Sequence, residues 1–142
     1  MRTRPSRSPG SPGFRERGAI RKPWSGRLAV GLAYPNRYRV GMSNLGFQTV
    51  YALLNARQEV VCERLFLPEP AAPSQAPPLS VESGRPAGDF HILAFSLAFE
   101  NDSPHLLAFL ARARLPRRAA DREARHPLVL AGGIGATLNP EP

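Results

Sequence analysis

Residues 90–99 (FHILAFSLAF) constrain the fold more than any other part of this 142-residue chain. The segment is nearly all apolar, lacks the alternation of a half-exposed strand and is too short to span a membrane, so it reads as a strand covered on both faces. Strands of that kind belong to parallel sheets sandwiched by helices, which requires strands and helices to alternate along the chain. The rest of the sequence complies. Residues 27–34 (RLAVGLAY) read as a first strand. Phe47, Val50, Tyr51 and Leu54 then place an apolar stripe on a helix that Ser43 is positioned to cap. Residues 60–67 (VVCERLFL) read as a second strand, followed by a Pro-rich crossover, 68–89, with little helical character. Ser103 and Pro104 open a helix whose buried stripe is Leu106, Phe109, Leu110 and Ala113. An Arg-rich connection leads to a fourth strand at 128–131, and Asn139-Pro140 reads as the start of one more helix.

The fold class expected is α/β: a doubly wound, flavodoxin-like parallel sheet over residues 27–142, incomplete at its carboxyl end because a fifth strand is missing. Ligands of such sheets bind beyond the carboxyl ends of the strands. The rim segments to search are therefore 35–42, 96–102 and 132–138.

The net charge of +8 suggests nucleic acid until it is divided along the chain. Residues 1–27 carry eight basic groups against Glu16, a net of +7, and the remainder carries eleven basic and ten acidic groups, a net of +1. Basicity thus belongs to a Pro/Gly/Ser/Arg-rich extension, 1–26, expected to be a disordered tail capable only of non-specific polyanion contact. There is no run of 18 apolar residues and no secretory pattern in the opening residues, so a cytoplasmic setting without a membrane is expected. Cys62, the single cysteine, cannot form an internal disulfide or a multi-thiolate metal site, and its apolar strand suits an inert buried thiol.

Three stretches, YPNRYRVGMSNLGFQTVYALLN (34–55), AFSLAFENDSP (94–104) and HPLVLAGGIGATLNPEP (126–142), resemble the amino-terminal, cobalamin-binding-like region of a group of radical S-adenosylmethionine (radical SAM) proteins. The resemblance implies a cofactor-binding or vestigial domain that serves a radical SAM catalytic domain in cis or in trans. It implies that the [4Fe–4S] cluster and S-adenosylmethionine belong to that catalytic domain, because a CxxxCxxC motif is absent here. The chain is thus expected to be a fragment that is not an enzyme alone. Cobalamin domains of this type often carry a DxHxxG loop, whereas the matching positions here run from Asn36 to Gly41 with Tyr38 where the His would stand. An un-ionised phenol is a poor cobalt ligand, so any cobalamin is expected without a His lower ligand, and no metal-ligating residue is assigned.

The resemblance and the rim together single out Asn36, Arg37, Tyr38, Gly41, Ser43, Asn101, Gly132, Gly133 and Gly135 as cofactor-binding candidates. Each has a plainer reading. Pro35-Asn36 is ordinary turn chemistry, Ser43 is a cap, and acidic or amide groups around Asn101 suit a helix start. Gly133–Leu138 departs from GxGxxG at its last position and follows the fourth strand, so it is weak as a dinucleotide fingerprint. No catalytic constellation is visible. The alternative function is a non-catalytic nucleic-acid-binding module that uses the basic extension.

Overall fold

The computed structural model describes residues 16–70, 72–73 and 75–140. Its centre is a four-stranded sheet in the order β2-β1-β3-β4 with every pair parallel, built from β1 (Leu28–Tyr34), β2 (Val60–Phe66), β3 (Ile92–Ser96) and β4 (Leu128–Gly132). The register aligns Val30 with Cys62 on one side and with Ile92 on the other. Helices α1 (Tyr38–Met42) and α2 (Leu45–Ala56) follow β1, α3 (Asp102–Arg112) joins β3 to β4, and α4 (Ile134–Leu138) follows β4. This is the expected flavodoxin-like arrangement. As anticipated, the 68–89 crossover holds no α-helix among its described residues, only a single turn at Ala87–Asp89.

The period of two along each strand divides the core into two layers. Ala29, Ala33, Val61, Leu65, Leu93 and Phe95 face α3, where Phe95 meets Phe109 edge-on at 5.1 Å. Val30, Leu32, Tyr34, Cys62 and Phe66 face α2 and surround Phe47. The helical stripes are as read, except that Val50 is exposed. Several boundaries move by a cap. Asn44, rather than Ser43, is the N-cap of α2, its Oδ1 accepting from the Phe47 N–H at 2.9 Å. Asn139 is the C-cap of α4, a short helix that the glycine-rich turn after β4 allows, and the helix expected from Asn139-Pro140 runs into 141–142, outside the described residues.

The two sheet edges differ sharply. At β2, Asn55 acts as a surrogate strand: its Oδ1 accepts from Cys62 N–H at 3.1 Å and its Nδ2 donates to Cys62 O at 3.0 Å. One residue pair further on, Arg64 N–H donates to Glu82 Oε2 at 2.8 Å and Arg64 O accepts from Val81 N–H at 2.9 Å. Lys22 Nζ donates to Val60 O. The edge is therefore closed to further pairing. At β4, Leu128 N–H and Gly132 O bond toward the β3 side, so by alternation Val129 and Ala131 turn their backbone groups outward. Leu128 and Leu130 are 59% and 47% exposed there.

Residues 16–26 correct the expected extent of the disordered tail; 1–15 lie outside the described residues. Glu16 pairs with the Arg64 guanidinium, Ile20 N–H donates to Tyr51 Oη at 2.8 Å, and Lys22 Nζ donates to the carbonyls of Asn55, Arg57 and Val60. Trp24 packs on Phe90 at 4.7 Å and donates to Glu63 at 2.8 Å. Composition averaged over the stretch hid these anchors, whose partners lie more than thirty residues away.

Asn55→Ala removes both halves of the Cys62 clamp and leaves two buried backbone groups unpaired, at about 1–3 kcal/mol each. The expected outcome is a loss of about 2–4 kcal/mol, read as a lower urea midpoint with an unchanged slope. An unchanged midpoint would remove the surrogate-strand role.

Candidate functional site

The strand order reverses between β1 and β3, so the crevice at the carboxyl ends of these strands is the place where a ligand is expected. On the α2 side a groove of about 530 Å³ runs up to this rim. Its floor is the sheet face of Leu32, Ala94 and Leu130, with Asn44, Gly46 and Val50 on the α2 side. Ser96, Ala98, Gly132 and Gly133 form its lip. Small residues dominate that lip, so backbone is open to close approach. Such a surface suits a flat, largely apolar ligand held by a few polar groups.

The sequence-derived candidates divide into three groups. Gly132 and Gly133 reach the groove. A Cβ on Gly132 would meet nothing within 4 Å, whereas Gly133 has φ of 107° and a Cβ there would lie 2.4 Å from Leu97 O. Gly132 thus borders free space and Gly133 shapes the turn. Asn36 and Arg37 face a separate cleft beside α3.

The third group serves packing or turns. Gly41 is buried, and a Cβ would strike the Phe66 ring at 2.4 Å. Gly135 is buried against Leu97 and donates its N–H to Leu97 O at 3.1 Å. Ser43 Oγ donates to Val40 O at 2.7 Å and ends α1. Tyr38 packs edge-on against Phe66 at 5.2 Å, and burial together with Glu16 pushes its phenol up to about 12, so it lies toward β2 and away from the groove. Asn101 is exposed and makes no side-chain cap.

The neighbouring Asp102, not singled out beforehand, is the residue that organises this loop. Its buried Oδ2 accepts from Ala98 and Phe99 N–H, each at 2.9 Å, and so fixes the lip after β3. The run Asn101-Asp102-Ser103-Pro104 signals a helix start; which side chain turns back could not be read from it.

None of the three histidines lines the groove. His91 Nδ1 accepts from Ala29 N–H before β3, His126 Nδ1 accepts from Glu123 N–H before β4, and His105 lies on α3, across the sheet. No group of three or more His, Cys, Asp or Glu able to hold a metal occurs among the described residues. No helix there is long and apolar enough to cross a membrane.

A buried polar cluster lies at the β2 edge, outside the groove lining. Arg64, 2% exposed, donates from Nε to Glu82 Oε1 at 2.7 Å, lies 4.6 Å from the Tyr51 ring centre and also pairs with Glu16. Burial alone would lower the Arg64 pKa, but the two carboxylates outweigh it and hold the guanidinium above its usual value. Burial pushes the Cys62 thiol up to about 12.

A family model described as "Radical SAM proteins, N-terminal" matches residues 46–142, more than half of the chain. The chain belongs to this family of radical SAM amino-terminal domains. No match was found among curated proteins, nor among solved structures.

Two outcomes follow. Gly133→Ala should destabilise the domain by about 1–2 kcal/mol or more through its positive φ, while Gly132→Ala should leave the melting temperature nearly unchanged. Equal effects would show that the turn does not depend on Gly133. The Cys62 thiol should stay unreactive toward a disulfide reagent at pH 8 in the folded protein and react fully in denaturant; rapid labelling of the folded form would contradict its burial.

Proposed function

We propose that this chain is a cofactor-binding-type domain that holds a flat ligand of the cobalamin class at the groove and serves a radical SAM catalytic domain, in the same polypeptide or on a partner. The observation that carries this reading is the groove itself: small residues from the ends of β3 and β4 line a crevice at the switch point of a parallel sheet. The lip fits the face of a macrocycle, with Ser96, Asn44 and the backbone around Gly132 and Gly133 as its polar contacts. It offers no imidazole, so this chain would hold cobalamin without a His lower ligand. Bound cobalamin supplies radical or group-carrying chemistry. The chain's own part is to orient that ligand and exclude water beneath it.

Chemistry on a [4Fe–4S] cluster and S-adenosylmethionine falls to the catalytic domain, because one buried cysteine cannot supply the three thiolates of CxxxCxxC. The alternative nucleic-acid reading is weakened from within. Arg21, Lys22 and Arg27, three of the basic groups counted toward the tail, donate to carbonyls of the folded domain.

The test is to mix the folded chain with hydroxocobalamin, record the visible spectrum and follow co-elution on gel filtration. The wild type should shift the spectrum and retain the pigment. Gly132→Phe, which grows into open space, should fold normally and fail to do so. An unchanged spectrum without co-elution, in a chain shown to be folded by circular dichroism, would withdraw the cofactor and leave a vestigial domain.

A further inference from the structure

The second cavity, about 550 Å³, lies on the opposite, α3 side of the rim and has a different chemistry. It is open there because the crossover from β2 to β3 is rich in proline. The described residues of this crossover contain no α-helix, so none packs beside α3 over this part of the rim. Arg37 and Asn36 enter the cleft from the loop after β1, Glu69 from the end of β2, and His105 and Arg112 from one flank of α3. Val40, Leu67, Pro68 and Ala108 supply an apolar wall.

Four other arginines are ion-paired, Arg64 to Glu16 and Glu82, Arg57 to Glu59, Arg85 to Asp89 and Arg125 to Glu123, and Arg21, Arg27 and Arg122 donate to backbone carbonyls. The guanidinium groups of Arg37 and Arg112 make no hydrogen bond or ion pair with any other described residue, although the Arg37 backbone N–H donates to Asn36 Oδ1. Two arginines from different elements thus line one cleft that contains a single carboxylate residue, Glu69.

We infer that this cleft is a binding site for a small phosphorylated ligand, with the phosphate held by Arg37 and Arg112 and an organic body laid on the apolar wall. Guanidinium pairs are suited to bidentate phosphate recognition, and the cavity is of the size that holds small molecules. The site lies across the sheet from the cobalamin-type groove and does not rest on that reading.

The experiment is calorimetric titration of the 142-residue chain with ADP at physiological ionic strength, repeated in the presence of inorganic phosphate. One ADP site is expected, displaced by excess inorganic phosphate. Arg37→Ala and Arg112→Ala should each weaken ADP by about tenfold or more, the loss expected for a charge-assisted contact. Glu69→Gln should tighten it. Arg117→Ala, a surface change outside the cleft, should leave it unaltered. Circular dichroism checks that each variant is folded, and phosphate competition on the wild type needs no variant. Absence of ADP binding, a failure of phosphate to compete, wild-type affinity in both cleft variants, or an equal loss in Arg117→Ala would each overturn the site. The hydroxocobalamin spectrum is read separately, so the two readings stand or fall apart.

Discussion

The pairing of the β2 edge with groups from distant segments is the constraint on which the remainder of the structure depends. An edge strand buried on all sides must find partners for its outward N–H and C=O groups, and water cannot supply them. Here Asn55 comes from the preceding helix, Val81 and Glu82 from the crossover, and Lys22 from the segment before β1. Three pieces of chain are thereby tied to one strand. Arg64 extends the same logic to side chains. Its charge is tolerated in the core because Glu82 and Glu16 meet it directly, and removing both would leave a buried charge uncompensated.

That arrangement explains why part of the fold was legible in the sequence and part was not. The strands and helices carry their signals locally: 90–99 is apolar throughout, and Phe47, Tyr51, Phe109 and Leu110 stand at helical spacing. Parallel pairing follows from the alternation of elements. The docking of 16–26 rests on Trp24–Glu63 and Ile20–Tyr51, pairs that no local window contains. An Arg/Pro/Gly-rich composition describes its average and misses these anchors.

The candidate site was legible in outline. Gly132 and Gly133 reach the groove, yet Gly41 is glycine for another reason, because the Phe66 ring leaves no room for a Cβ, and a Cβ at Gly135 would press on Leu97 O and Phe99 O at 3.2 Å. From sequence alone, a glycine that admits a ligand and one that admits a neighbouring ring look alike. Asn36 and Gly133 both lie just past strands, but they open onto opposite faces of the sheet, and only the strand order and the placement of α2 and α3 decide which face. Asp102 shows the converse. A residue dismissed as helix-start chemistry turns its carboxylate back onto Ala98 and Phe99 and holds the lip in place.

The Pro-rich crossover joins these threads. Proline cannot donate a backbone hydrogen bond and resists helix, so the crossover cannot form the usual layer over β1 and β2. At its far end the segment instead closes the β2 edge through Val81 and Glu82 and supplies Ser80 and Ser83 to Glu63. At its near end Pro68, Glu69, Pro70 and Ala72 line the cationic cleft together with His105, Ala108 and Arg112 of α3. One compositional bias therefore underlies both the closed β2 edge and the cationic cleft. A helix in the same place would fill the cleft, burying Arg37 and Arg112 under a layer that had to neutralise them.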